Sequence, residues 1–491
     1  MVAAFWAIAV LPAATLPMTD PDTFWHIRAG LEVLDVGHVA TTDQWSIVGA
    51  GRPWVSQDWL SNVAMAAGYR LGDVGPTVLS LAYGLMAAGA IAILWSAIGL
   101  RQPIGRLARI GWLLFGIVLA APVLGVRVQV VDLLLASAVV WALWRYLGLR
   151  RPALLVSLPV IAVVWVNLHA GFPLLFLLGG AVLVGEALDR AMGRQPDGAP
   201  LEWRQLAWLF AALAAAAVAL MLNPNGPRIY AYPFETLGIT ALSAFVGEWR
   251  SASLDTPAGQ WLAAFTLLGV IPAIALGWRR MRSADALVML GLTLMAAIAV
   301  RFVLGGPVAA AVVCVVLSPQ LVATRSGAAL ARVVHRLHRR DAGRLGRLNG
   351  SLALAIVVVG LVLVGTRVAP AAQDAAVAER YPVEAIEWLR VAEPNRVIFN
   401  RYEWGGYLGL ALPDRPVFID GRADVYGDDL IREYVETISV TGNPQVTFDR
   451  YGVDQILYPE DSTLGRWLAD SPAWKLAYDG DQGAIWTRTD G

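Results

Sequence analysis

Through residues 1–368, long apolar runs alternate with short polar stretches. A membrane-crossing helix needs about 20 mainly apolar residues. On that measure the pattern predicts eleven spans: 1–18, 76–98, 108–125, 130–147, 153–168, 171–188, 204–222, 259–278, 284–300, 303–323 and 351–368. The first has no basic leader and no small-residue cleavage site, so it reads as a retained helix. Two weaker stripes fall in the stretch 19–75. In 23–36, Phe24, Ile27, Leu31 and Leu34 share one helical face, and in 56–71 Trp59, Val63, Ala67 and Tyr69 do so. Both predict helices lying in the membrane interface. A polar, alanine-rich linker covers 369–380, and 381–491 has globular composition. There the pattern predicts helices at 382–391, 404–412, 429–438 and 444–451, strands at 396–400, 417–419 and 455–458, and a hairpin over 473–488 turning at Asp479-Gly480. The fold class is a polytopic α-helical membrane protein with a small C-terminal α/β domain.

Composition agrees with a membrane protein, since 57% of the residues are hydrophobic. Formal net charge is zero, so no global field argues for nucleic acid. The single cysteine, Cys314, lies in an apolar run, and a disulfide framework is excluded. Arginine placement orients the spans by the positive-inside rule. One set of loops and helix ends carries Arg101, Arg106 and Arg109, then Arg145, Arg150 and Arg151, Arg190, Arg194 and Arg204, and Arg279, Arg280 and Arg282. The segment 324–350 adds seven arginines against one acid, Asp341. This puts the N-terminus in the cytoplasm of a cytoplasmic (inner) membrane and, with eleven spans, 381–491 outside it.

The other face then receives 19–75, 223–258, three short turns and the C-terminal domain. It opens on Asp20-Pro21-Asp22, followed by Trp25 and His26. Carboxylates are costly in a bilayer and gather at its edge or around a functional cavity. Proline between the two acids predicts a helix break, with the carboxylates leaving the membrane on an extended segment. The bland reading of Trp25, Trp45, Trp54 and Trp59 is an aromatic belt. The short turns bring Arg127 and Gln129, Asn167 and His169, and Arg301 to this face, and the medium loop brings Glu248. A turn needs something polar, which accounts for Asn167. Arginines on this side run against the topological bias. They predict either a bound anion, which guanidinium grips with a planar fork of donors, or pairing with Asp20, Asp22 or Glu248. In the C-terminal domain two loops stand out: Tyr402-Glu403-Trp404-Gly405-Gly406-Tyr407, and Asp420-Gly421-Arg422-Ala423-Asp424 after the strand predicted at 417–419. Their bland readings are a helix entry and a solvated turn. Loops at strand carboxyl ends are favoured ligand sites.

These residues resemble the GT-C glycosyltransferases. The resemblance rests on acids after one span, many helices, a long first loop with two interfacial helices, and an α/β domain on the same side. Residues 402–407 are loosely similar to the Trp-Trp-Asp-Tyr-Gly segment of oligosaccharyltransferase catalytic subunits, but the Trp-Asp pair is missing, so peptide recognition does not carry over. Trp25-His26 and 418–424 also resemble segments of bacterial membrane proteins, a likeness that brings no substrate with it. The resemblance implies a polyprenyl-phosphate sugar as donor and a glycan, lipid or protein acceptor. Asp20 or Asp22 would be the base, or would hold a divalent cation such as Mg or Mn. His26 would assist. Arg127 and Arg301 would stabilise the leaving phosphate. Gln129, Asn167, His169, Glu248, Tyr402, Trp404, Asp420, Arg422 and Asp424 would bind substrate. Two other readings compete. A transporter or flippase predicts charges or helix breaks near mid-span. A non-catalytic envelope assembly protein predicts that Asp20 and Asp22 are dispensable.

Overall fold

The computed structural model describes residues 11–324, 342–392 and 396–489. Most of the first predicted span and most of the arginine-rich segment 324–350 lie outside the described residues. Seven described helices are long and apolar enough to cross a membrane: Gly72–Arg101, Arg106–Val123, Val130–Leu149, Trp203–Leu222, Pro257–Gly277, Val300–Ala323 and Gly350–Arg367. The expected eleven are not all of this kind. Pro152–Leu168 and Ser283–Ile298 are apolar but shorter. Pro173–Ala191 is helical, with Glu186, Asp189 and Arg190 in its closing turns. The fold is a multi-pass helical membrane domain with a small sheet near the C-terminus.

The loops assigned by sequence to the arginine-rich face meet each other. Arg282 pairs with the fully buried Glu186 at 2.6 Å, Arg194 with Asp189 at 2.7 Å, and Arg101 with Asp285 at 2.8 Å. Arg101, Arg109, Arg145, Arg194 and Arg204 also stack on tryptophans. A guanidinium lies well on an indole face and keeps its charge there.

The first loop forms two helices, Pro21–Val36 and Trp59–Tyr69. They match the expected positions, but Pro21 does not break a helix. It starts one. Proline is favoured at the first helical position, where its missing N–H has no partner to lose. Asp20 is the N-cap, and its side chain accepts from the Asp22 amide at 3.1 Å. Both acids therefore sit at one helix N-terminus, which favours negative charge.

The C-terminal sheet has four strands: β1 (Ile398–Asn400), β2 (Gln455–Tyr458), β3 (Trp474–Tyr478) and β4 (Ala484–Arg488). The spatial order is β1-β2-β4-β3, with β1 and β2 parallel and the other pairs antiparallel. Residues 417–419 are not a strand of this sheet. Val417 instead exchanges backbone hydrogen bonds with the first loop, donating to the Trp45 carbonyl at 2.9 Å and accepting from Ile47 at 2.8 Å. The segment 370–378, expected as linker, is the helix Pro370–Ala378, and its buried Gln373 bonds Met18 and Ser80.

First loop and C-terminal domain are thus one unit. Helix Tyr402–Ala411 packs on Pro21–Val36, and glycine makes the approach possible. A Cβ at Gly406 would stand 2.6 Å from the Pro21 carbonyl; within the C-terminal domain itself, one at Gly405 would run into the Ile419 carbonyl. Gly405→Ala is therefore expected to destabilise the protein by about 1–3 kcal/mol, the range for overpacking. A lower melting temperature in detergent checks it; an unchanged one shows that the backbone yields.

Candidate functional site

Where the membrane helices meet this unit, a cavity of about 610 Å³ opens. Its polar wall holds Asp20, Asp22, His26, Arg127, Gln129, His169, Glu248, Arg301, Tyr402 and Asp424. Its apolar wall includes Leu133, Ala136, Leu174, Leu292, Met295 and Val308 from four membrane helices. These polar residues come from six separate parts of the chain, counting the C-terminal domain as one, so only the fold gathers them.

Arg127 anchors one end. Its Nε lies 2.8 Å from Asp20 Oδ2 and its Nη2 lies 2.6 Å from Glu248 Oε2. Those side chains are 13%, 16% and 19% exposed, so the attraction is little screened by solvent. Burial pushes the Asp20 carboxyl up to about 6 against the pull of Arg127. Asp22 is raised for the same reason, while Trp25 donates its Nε1–H to Asp22 Oδ1 at 3.1 Å. Burial also pushes Glu248 up, but Arg127 and Arg301 outweigh it and hold Glu248 below the usual carboxylate range. Arg301 lies over the Trp249 ring at 4.3 Å and forms no ion pair among the described residues. The two arginines thus part company: Arg127 is paired with acids, whereas Arg301 presents a cation.

His26 sits one turn beyond Asp22 and stacks on Trp25, with ring centres 3.6 Å apart. Its Nδ1 is 2.6 Å from Asn62 Oδ1 and 3.3 Å from Asp58 Oδ2. Burial lowers its pKa, although Asp58 opposes this. The hydrogen bonding assigns the proton to Nδ1 of a neutral ring, which leaves Nε2 as acceptor. His169 pairs with Asp132 at 2.7 Å, and Asp132 also accepts from Trp165 Nε1. On the C-terminal side, burial pushes Asp424 up to about 7, with Arg422 opposing and Asp58 adding.

Four residues named from sequence do not reach the cavity. Asn167 accepts from Trp59 and Asn223. Trp404 is 3% exposed and donates to the Arg380 carbonyl. Asp420 and Arg422 are buried together: Arg422 holds Asp420 at 2.7 Å and Asp43 at 2.7 Å, and packs against the Trp45 and Trp54 rings. Asp420 and Arg422 thus form a buried joint between the first loop and the C-terminal domain, neither the substrate-binding loop expected from sequence nor its bland alternative, a solvated turn. Asp58, Asp132, Tyr232 and Trp249 line the cavity without having been singled out. A signal existed for Asp132, an acid one turn inside an apolar span. Tyr232 carries none, being one aromatic among many.

A divalent cation on Asp20 and Asp22 does not fit the residues present. Among the described residues no three His, Cys, Asp or Glu side chains are grouped to hold a metal ion. Asp20 already serves Arg127 and the Asp22 amide, and Asp22 accepts from Trp25.

No protein family matches the sequence, and no curated protein does. Solved structures do match. The apo oligosaccharyltransferase of Archaeoglobus fulgidus is similar over 95% of this chain and 70% of its own, with a TM-score of 0.56 at 13% identity. The fold is GT-C-like. The same archaeal enzyme in complex with zinc and sulfate is similar over 95% of this chain and 69% of its own, with a TM-score of 0.53 at 13% identity. At such identity the likeness is one of fold, and at 95% of this chain it takes in both the membrane helices and the C-terminal domain.

Proposed function

We propose that this protein transfers a sugar from a polyprenyl-phosphate donor to an acceptor hydroxyl. The observation that carries this reading is one cavity with charge at one wall and aliphatic side chains from membrane helices at the other. A lipid phosphate has the same two-part character. The GT-C-like fold supports the class. The tail would lie along Leu133, Leu174 and Leu292. The phosphate would meet Arg301 and the Nη groups of Arg127, since charge-assisted hydrogen bonds to phosphate are strong and directional.

The step is a single displacement. The acceptor oxygen forms a bond to the anomeric carbon, the bond from that carbon to the phosphate oxygen breaks, and the lipid phosphate leaves with the electron pair. The acceptor proton goes to a carboxylate. Asp20 is occupied by Arg127, so the role falls to Asp22, whose raised pKa makes it a better base near neutral pH. His26 positions Trp25 and, through it, Asp22. His169, Gln129 and Tyr402 contact the sugar. The partners are then the bilayer, the lipid-linked sugar and a glycan, lipid or protein acceptor. The location is a bacterial cytoplasmic membrane, with the N-terminus inside and the C-terminal domain outside.

The test is analysis of envelope glycans and lipid-linked sugars in a deletion strain. Loss of one glycan with accumulation of its lipid-linked precursor is expected. An unchanged profile overturns the reading.

Asp424 gives this site a pH dependence. An acid raised to about 7 gains its proton as pH falls below that value. If its carboxylate binds the acceptor, transfer at limiting acceptor falls on the acid side of pH 7. Asp424→Asn, neutral at every pH, is expected to remove the part of that limb owed to Asp424 and to leave the part that protonation of the base Asp22 contributes. A limb unchanged in the variant assigns it to another group.

A further inference from the structure

We propose that Arg127 is the resident cation of this site, standing where a divalent metal ion would otherwise bridge Asp20 and Glu248, so that the sugar transfer needs no metal. The inference rests on the transferase reading and adds its electrophile.

The geometry is that of a bridging cation. The Nε of Arg127 lies 2.8 Å from Asp20 Oδ2, and its Nη2 donates to Glu248 Oε2 at 2.6 Å. The turn Gly125–Gln129 that carries Arg127 is fastened to the first loop, because Thr23 donates its hydroxyl to the Val126 carbonyl. The cation is therefore delivered by the fold and not recruited from solution. Two chain segments far apart in sequence each send one carboxylate to it.

Charge count points the same way. Asp20, Asp22 and Glu248 are three carboxylates at one end of the cavity, and Arg127 and Arg301 are two cations beside them. A divalent ion added to this set would have to displace Arg127 from both acids. Guanidinium stays charged at any accessible pH and holds oxygen anions with a fixed fork. It can pair with Asp20 and Glu248 and still present unused N–H donors to a phosphate, which is the service a metal would give.

Removing the arginine should invert the situation. Arg127→Ala leaves three carboxylates in a poorly solvated pocket with only Arg301 near, and hard divalent cations bind such oxygen clusters. The experiment uses Mn(II) as probe, followed by electron paramagnetic resonance on the purified full-length protein in detergent, with a thermal melt on each variant. Wild type is expected to bind no stoichiometric Mn(II), and its transfer is expected to withstand EDTA. Arg127→Ala is expected to bind one Mn(II) per chain, and further replacement of Asp20 by Asn to abolish that binding. One Mn(II) bound per wild-type chain and lost in Asp20→Asn overturns the proposal, as does transfer that stops in EDTA and resumes with Mg or Mn. If Arg127→Ala does not fold, Arg127→Gln and the wild-type measurements decide. Failure to find any transfer strikes the function proposed above; the Mn(II) result is read separately.

Discussion

Asp22→Asn is expected to lose function while remaining folded. The amide oxygen of asparagine can still accept from Trp25 Nε1, as Asp22 Oδ1 does at 3.1 Å. The Asp20–Arg127–Glu248 bridge is untouched, and so is the Asp20 N-cap. What disappears is the proton acceptor. General-base catalysis contributes typically about 10²–10⁴-fold, and the rate of transfer should fall by that much. The measurement is complementation of the deletion strain, scored by glycan and lipid-linked sugar analysis beside wild type. Full restoration by the asparagine variant removes Asp22 from the base role. The same result in Asp20→Asn would mean less, because that change also weakens the hold on Arg127.

The second large effect is on stability. In Arg422→Met the side-chain volume is roughly kept and the charge is lost. Asp43 and Asp420, both buried, are then left facing each other without a cation. Breaking a buried ion pair from one side costs about 3–5 kcal/mol, because the remaining charge stays buried and uncompensated. The Trp45 and Trp54 rings lose their guanidinium contacts at 4.2 and 4.7 Å as well. The expected result is a markedly lower melting temperature and early proteolytic release of the C-terminal domain from the membrane part. An unchanged melting temperature with intact proteolytic resistance would show that the joint is held by backbone pairing and apolar contact alone.

Local pattern made some of the chain legible. Residues 382–391, 444–451, 455–458 and the hairpin over 473–488 lie close to their observed elements, because their signals are periodicity and turn chemistry within a few residues. Elements decided by distant partners were not legible. Residues 417–419 carry a strand's composition, but Val417 takes its partners from Trp45 and Ile47. Asp420 and Arg422 read as polar loop residues because Asp43, which buries their charge, lies far away in sequence. Local pattern marks Pro21 as a helix stop, whereas it is a helix start. The helix Thr463–Asp470 does carry a local signal, the Ser462 cap that accepts from Gly465. Of the site, sequence supplied the acids, the arginines and a common face. It could not supply the division of labour between Arg127 and Arg301, which depends on Glu248 reaching one and Trp249 reaching the other.

The joint between first loop and C-terminal domain also sets an order of events in synthesis. Arg52 donates to the Tyr426 carbonyl across 374 residues of chain. At about 5–20 residues per second, roughly 20–75 s separate the birth of the two halves. For that interval Asp43, Trp45 and Trp54 lack the partners that will bury them, and the pocket lacks its Asp424 wall. A ribosome stalled before residue 417 therefore leaves a chain whose membrane helices are complete and whose first loop is still open, a ready substrate for a quality-control protease. Supplying 369–491 as a separate polypeptide would close that loop only if the docking glycines find their seat without the tether.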